Sequence, residues 1–133
     1  MTNEHDAPTR TALVIEDEAF ILDLLVYKFK DQNWKIISAM NGEAGIEKAK
    51  EEKPDIILLD ILLPGMNGYE VLEQLKADEQ VKDIPVLVLS NYGQQGEIEK
   101  SKELGAVDHI VKANIIIEEV IHRAEKILTS ADS

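Results

Sequence analysis

The sequence contains no cysteine, and aromatic residues make up only 5% of its 133 residues. Without cysteine there is no disulfide, no thiolate nucleophile and no zinc–thiolate site. Basic residues are also scarce, with 14 Lys and Arg against 26 Asp and Glu and a formal net charge of −12. This charge disfavours nonspecific binding to nucleic acid or to an anionic membrane surface. No apolar run approaches the roughly 20 residues that a membrane span requires.

What is present indicates one folded domain. The chain is 44% hydrophobic and 30% charged, which is typical of a globular protein rather than a disordered one. The polar stretch at the N-terminus lacks the apolar core of a signal peptide, so we expect a cytoplasmic protein. We predict a flexible leader over residues 1–9, a single domain over residues 10–129 and a short tail over residues 130–133.

Short apolar runs alternate five times with segments of helical periodicity. The predicted strands are residues 11–15, 35–39, 55–60, 85–89 and 107–111. This alternation predicts an α/β fold with parallel strands joined by right-handed crossovers. Five units without a Gly-rich phosphate fingerprint suggest a flavodoxin-like, doubly wound sheet of strand order 2-1-3-4-5. In the last unit, Asn114 is a predicted N-cap of the fifth helix.

The third strand ends on a carboxylate. Residues 56–59 are all apolar, which indicates a strand buried on both faces, and Asp60 follows them directly. Pro64, Gly65 and Gly68 then predict a loop. Ligands of open α/β sheets bind at the carboxyl ends of the strands. A single Asp at such a position is nevertheless more often an ordinary surface residue.

Other strand ends change that interpretation. The predicted topology places Glu16 and Asp17, Asp60, Ser90 and Lys112 along one edge of the sheet. Three acids in one cleft repel each other unless a cation is present, and a few oxygen ligands suit Mg²⁺ better than zinc. Asp60 could then act as a nucleophile toward phosphorus. The ammonium of Lys112 and the hydroxyl of Ser90 could contact phosphoryl oxygens.

Five motifs in this order resemble the receiver domain of two-component response regulators. They are Ile-Glu-Asp-Glu at 15–18, Leu-Asp at 59–60 with Pro-Gly-Met-Asn-Gly at 64–68, Leu-Ser at 89–90, Gly-Ala at 105–106 and Val-Lys at 111–112. The resemblance covers about residues 10–129. It implies that Asp60 is the phosphoacceptor, that Asp17 binds Mg²⁺ directly and that Glu16 does so through water. The backbone carbonyl of Leu62 would be a further metal ligand.

The resemblance also implies a switch. Ser90 would be the hydroxyl that moves toward the phosphoryl group, with Lys112 as the ion-pair partner of that group. The position of the family's switch aromatic holds His109 here, and Asn91 replaces a residue that is commonly small. The proline that usually follows the strand-5 lysine is Ala113, so either the preceding peptide bond is a strained cis bond or Lys112 is presented differently.

The resulting hypothesis is a stand-alone receiver rather than a conventional enzyme. Its phosphoryl donor would be a sensor histidine kinase or a phosphotransfer protein. Its output would pass to a downstream protein through the face formed by the fourth helix, fifth strand and fifth helix, which could also form a homodimer. Bulky Leu62 and Tyr92 beside the site could obstruct the hydrolytic water, which predicts a long-lived phosphoryl group.

Three alternatives remain at the level of the sequence. One is a binding module of the same fold that signals without phosphorylation, which Ala113, His109 and Asn91 leave open. Another is a Mg²⁺-dependent phosphohydrolase. Such an enzyme generally needs an acid two residues after its nucleophile, and that position here is Leu62. The last is a piece of a longer regulator or hybrid kinase.

Overall fold

The computed structural model describes residues 10–91, 95–114 and 116–132. The strands are β1 (Arg10–Ile15), β2 (Trp34–Ala39), β3 (Ile56–Asp60), β4 (Val86–Ser90) and β5 (Asp108–Val111). The helices are α1 (Ala19–Asp31), α2 (Gly42–Glu52), α3 (Gly68–Ala77), α4 (Gln95–Glu103) and α5 (Ile117–Asp132), and a 3-10 helix spans Lys112–Asn114. Within these described ranges, no helix combines the length and apolar character needed to cross a bilayer.

All five strands are parallel and follow the order β2-β1-β3-β4-β5, which confirms the predicted flavodoxin-like fold. Every residue of β3 and β4 is buried, as expected for central strands covered by helices on both faces. The register aligns the strand ends, with Ile15 opposite Leu59 and Ser90 opposite Val111. Residues just beyond these pairs therefore gather at one edge.

Two apolar layers hold the helices against the sheet. On one face, α1 and α5 pack through residues such as Leu25, Phe29 and Ala124, which are fully buried. On the other face, α3 buries Leu72 and Leu75. Alternation of side chains along each strand supplies both layers from the same five strands.

The N-termini of two helices are fixed by asparagine caps. The side chain of Asn41 accepts a hydrogen bond from the Ala44 amide at the start of α2. Asn67 and Glu70 form a reciprocal capping box at the start of α3. The prediction for α5 was wrong in detail, because Asn114 ends the 3-10 helix and α5 begins at Ile117.

Helix α5 extends beyond residue 129, and the tail over residues 130–133 stays a prediction. The helix continues to Asp132 and therefore includes Ser130, which the sequence had suggested as the first residue of a tail.

Gly68 allows α3 to start directly beneath the end of β3. A Cβ atom at this position would overlap the carbonyl oxygen of Asp60 and lie 2.5 Å from the Cα of Ile61. The Gly68 amide also donates to the Ile61 carbonyl at 2.8 Å. Because the neighbours are backbone atoms, they cannot move aside as a flexible side chain would.

We therefore expect Gly68→Ala to lower the free energy of unfolding by about 1–3 kcal/mol, as overpacking usually does. Gly96→Ala is the matched control, because a Cβ there meets no atom within 4 Å. The control should stabilise α4 by up to about 1 kcal/mol through helix propensity. Urea unfolding measures both variants, and equal effects would contradict the close backbone approach at Gly68.

Candidate functional site

The carboxyl ends of the strands bring the predicted site residues together. Glu16 directly follows β1, and Asp60 ends β3, its neighbour in the sheet. Ser90 ends β4, and Lys112 directly follows β5. Continuing the register beyond the Ile15–Leu59 pair places Glu16 opposite Asp60. The site is therefore a direct consequence of strand order and register.

Three carboxylates form a compact acidic cluster. Glu16, Asp17 and Asp60 each place one carboxylate oxygen within 4.8 Å of the others. Glu16 is 1% exposed and Asp60 is 6% exposed, whereas Asp17 is partly exposed. Two of the three acids are thus almost completely removed from water while lying beside each other.

Lys112 is the cation that faces this cluster. Its Nζ lies 2.6 Å from Oε1 of Glu16 and 3.4 Å from Oδ2 of Asp60. The second oxygen of Glu16 accepts a hydrogen bond from the Glu18 amide at 3.2 Å. Lys112 is therefore held mainly by Glu16, whereas the sequence had suggested only its role toward a phosphoryl group.

These surroundings shift two protonation equilibria. Burial, followed by the negative charge of Glu16, raises the pKa of Asp60 from its ordinary value of 3.8 to about 7. Lys112 and the Leu62 amide act in the opposite direction but do not cancel this effect. Burial lowers the pKa of Lys112, but the hydrogen bond with Glu16 and the charges of Asp60 and Glu16 outweigh it, so this pKa is raised overall.

The residues present fit a bound divalent cation. When Glu16, Asp17 and Asp60 are all ionised, one lysine leaves two negative charges uncompensated in a mostly buried cluster. The raised pKa of Asp60 shows that this charge is costly. Carboxylate oxygens are the ligands that Mg²⁺ prefers, and Glu16, Asp17 and Asp60 are the side chains that would hold it.

Leu62 and Ser90 lie at the positions expected of them. The Leu62 amide is 3.4 Å from Oδ1 of Asp60, a long hydrogen bond, and its side chain is 52% exposed beside the site. Ser90 is buried, with only 1% of its surface exposed, at the end of β4. The metal-binding role of the Leu62 carbonyl and the switch role of Ser90 stay predictions.

His109 has a partner that sequence reasoning missed. Its ring is buried on β5, and Nδ1 lies 2.9 Å from the hydroxyl oxygen of Ser101 on α4. A signal for Ser101 exists in the sequence, because it occupies the inward face of α4, one turn after Ile98. A serine is a weak signal of burial, because this residue type is mostly exposed in folded proteins.

The structure answers one of the two questions that the sequence raised about Lys112. Among the residues that the structure describes, no peptide bond is cis, so the bond between Lys112 and Ala113 is trans. A 3-10 helix starts at Lys112 and has Ala113 as its second residue. Asn91 is exposed after β4, and Tyr92 lies outside the described residues.

Comparison with known families agrees with this site. The sequence profile of the response regulator receiver domain matches residues 12–124. The chain therefore belongs to the response regulator receiver family, whose members are signalling modules of two-component systems rather than conventional enzymes.

Individual relatives span different amounts of this chain. Sporulation initiation phosphotransferase F of Bacillus subtilis is 35% identical over 100 residues, which are 75% of this chain and 79% of that protein. The alkaline phosphatase synthesis transcriptional regulatory protein PhoP of the same organism is 34% identical over 119 residues, 85% of this chain. The chain spans only about half of that regulator, 49% of its length.

A solved structure shares the fold closely. A chain of the CheX-CheY-BeF3-Mg²⁺ complex from Borrelia burgdorferi matches with a TM-score of 0.82 and 26% sequence identity. The match covers 89% of this chain and 88% of that one. That complex includes a magnesium ion together with a protein of the same fold.

The raised pKa of Asp60 predicts how stability depends on pH without metal. Because the folded-state pKa of about 7 exceeds the ordinary 3.8, the stabilising contribution of protonated Asp60 is complete below pH 3.8 and is lost as pH rises through 7. Asp60→Asn cannot ionise, so the variant should not lose stability in this way as pH rises. In EDTA at pH 8, it should raise the free energy of unfolding by about 2–4 kcal/mol, and this gain should shrink toward pH 4.

The control for this measurement is Asp23→Asn, which removes one negative charge from an exposed position on α1. It should change stability little and with no comparable pH dependence. A pH-independent difference between Asp60→Asn and the wild-type chain would contradict the charge conflict at Asp60.

Proposed function

We propose that this chain is a response regulator receiver that accepts a phosphoryl group on Asp60 from a phosphohistidine. The donor is a sensor histidine kinase or a phosphotransfer protein. The observation that carries the proposal is the convergence on Asp60 of two further acids and Lys112, all at the carboxyl end of the sheet. Membership of the receiver family supports the same reaction class.

The proposed reaction is a phosphoryl transfer between two side chains. A carboxylate oxygen of Asp60 attacks phosphorus, so one P–O bond forms while the P–N bond to the donor imidazole breaks. The electron pair of that bond returns to the imidazole nitrogen. Asp60 must be deprotonated to attack, so its raised pKa makes neutralisation of the surrounding charge part of the reaction.

Lys112 and Ser90 would position the transferred group. The ammonium of Lys112 lies between Glu16 and Asp60, within reach of an oxygen on phosphorus bound to Asp60. The Ser90 hydroxyl, at the end of the adjacent strand, would donate to another oxygen. A bound Mg²⁺ would supply positive charge for the equatorial oxygens of the transferred group.

Signal output would follow from a shift between two conformations. The face formed by α4, β5 and α5 lies beside Ser90 and Lys112, so it is the part of the fold that phosphorylation would bias. The partner would be a downstream protein, or the next protein of a phosphorelay, and α4–β5–α5 could also mediate a homodimer. The name of the B. subtilis phosphotransferase relative favours the relay.

Phosphorylation by a small donor tests the proposal. Incubation with Mg²⁺ and phosphoramidate should add the mass of one phosphoryl group to the intact chain, and Asp60→Asn should abolish this addition. Lys112→Ala should slow it at least tenfold, since it removes the cation at the reacting carboxylate.

Lys48→Ala, which removes an exposed lysine of α2, is the matched control and should react at the wild-type rate. No phosphoryl addition with phosphoramidate or acetyl phosphate would instead support a receiver-like binding module that signals without phosphorylation. Addition that survives Asp60→Asn would place the phosphoacceptor elsewhere.

The exposed Leu62 side chain predicts slow loss of the phosphoryl group. A bulky apolar residue beside Asp60 hinders the approach of water to phosphorus. Leu62→Asn should therefore accelerate hydrolysis by about threefold or more. The decay of the phosphorylated mass over time measures this rate. Leu62→Met keeps an apolar side chain of similar size and should lose its phosphoryl group at the wild-type rate. Equal rates in wild type, Leu62→Asn and Leu62→Met would contradict the hypothesis.

A further inference from the structure

Helix α4 is attached to the sheet differently from the other helices. Its single buried residue is Ser101, whereas α1 and α3 bury several large apolar side chains. Apolar burial is the main source of helix attachment in most domains, so α4 lacks the usual anchor. The position of α4 must then depend strongly on its polar contacts.

The central polar contact of α4 is the buried pair Ser101 and His109. Ser101 has no exposed surface, and its hydroxyl donates to the Ile98 carbonyl at 2.9 Å. The same hydroxyl oxygen lies 2.9 Å from Nδ1 of His109. The tautomer with a proton on Nδ1 lets this oxygen accept a hydrogen bond from His109 while its own proton goes to Ile98. The pair joins the last turn of α4 to the second residue of β5.

The pair also lies close to the proposed phosphorylation site. His109 is in register with Val88 on β4, and Ser90 follows two residues later on the same face of the sheet. Lys112 follows His109 by three residues on the same strand end. Ser90 and Lys112 are thus only two or three residues along their strands from this hydrogen bond. A displacement of β4 or β5 at the site would therefore also move the groups that form it.

A second contact supports α4 from the side. The ammonium of Lys100 lies 4.3 Å from the ring centre of Tyr69, at the start of α3. This cation–π contact is partly exposed and contributes less than a buried one. This contact restricts the movement of α4 at the surface. The Ser101–His109 hydrogen bond remains the buried attachment of the helix.

We infer that the Ser101–His109 hydrogen bond is a latch that sets the resting position of α4. The inference rests on the proposed function, in which phosphorylation shifts the α4–β5–α5 face. A buried hydrogen bond suits a discrete switch, because separating the two groups costs free energy until α4 or His109 adopts a second arrangement. His109 and Ser101 are positioning residues, since the hydrogen bond between them lies outside the acidic cluster.

Hydrogen exchange of the unphosphorylated chain tests the latch directly. Ser101→Ala should accelerate amide exchange in α4 by about three- to tenfold, as expected for loss of one buried hydrogen bond. Helix propensity alone predicts the opposite sign, because alanine favours a helix more than serine does. Glu103→Ala, an exposed substitution in the same helix, is the control and should not accelerate exchange. Unchanged or slower exchange in Ser101→Ala would overturn the latch.

Two substitutions at His109 distinguish the effect of the hydrogen bond from the effect of side-chain packing. The amide nitrogen of asparagine can take the place of Nδ1, so His109→Asn should keep α4 exchange within about twofold of wild type. His109→Leu fills the space but cannot donate, and it should match Ser101→Ala. If leucine protects α4 as well as asparagine does, the hydrogen bond has no positioning role. Exchange of β3 amides reports global unfolding and should not follow this order.

A phosphorylated sample distinguishes this inference from the proposed function. With Mg²⁺ and phosphoramidate, α4 exchange in the wild-type chain should rise, and the rise should be smaller in Ser101→Ala, whose helix is already released. A wild-type chain that gains no phosphoryl group contradicts the proposed function, while the comparison of resting chains still decides on the latch. Equal rises in both chains would overturn the latch alone.

Discussion

The contact of Lys112 with both Glu16 and Asp60 is the interaction on which the site depends. Two nearly buried carboxylates lie side by side at the ends of adjacent strands, and one ammonium only partly compensates them. The consequence is a raised pKa at Asp60, so the fold holds a carboxylate whose charge a divalent cation would balance. Strain of this electrostatic kind is typical of functional sites and is supported by the apolar strands around it.

The same sheet gives α4 a weaker attachment than its neighbours. The layers that fix α1, α3 and α5 are apolar and tightly packed, whereas α4 relies on Ser101, His109 and an exposed cation–π contact. A buried apolar scaffold around Asp60 and a polar attachment of α4 to β5, two strands away, are complementary features. In the proposed function, the first would keep the reacting groups in place, and the second would let a small change at the strand ends alter the position of a helix.

The sequence was sufficient for the features that follow from periodicity. Strand order follows from the alternation of strands and helices. The burial of β3 and β4, and the meeting of Glu16, Asp60 and Lys112, follow from apolar runs that end at polar residues. Side-chain contacts between separate helices and strands could not be predicted from the sequence. The preference of Lys112 for Glu16 and the pairing of Ser101 with His109 depend on how α4 and the strand ends pack. The start of α5 was missed because a capping residue cannot reveal a 3-10 turn placed before the helix.

Proton release on Mg²⁺ binding tests the central charge argument most directly. Calorimetric titration with Mg²⁺ at pH 6.5, in two buffers of different ionisation enthalpy, counts the protons displaced from the chain. Since the pKa of Asp60 is about 7 without metal, the wild-type chain should release between about half a proton and one proton per bound ion. Asp60→Asn should release almost none. Saturable binding with no proton release, or with equal release from both chains, would contradict a cation site built on a raised Asp60 pKa.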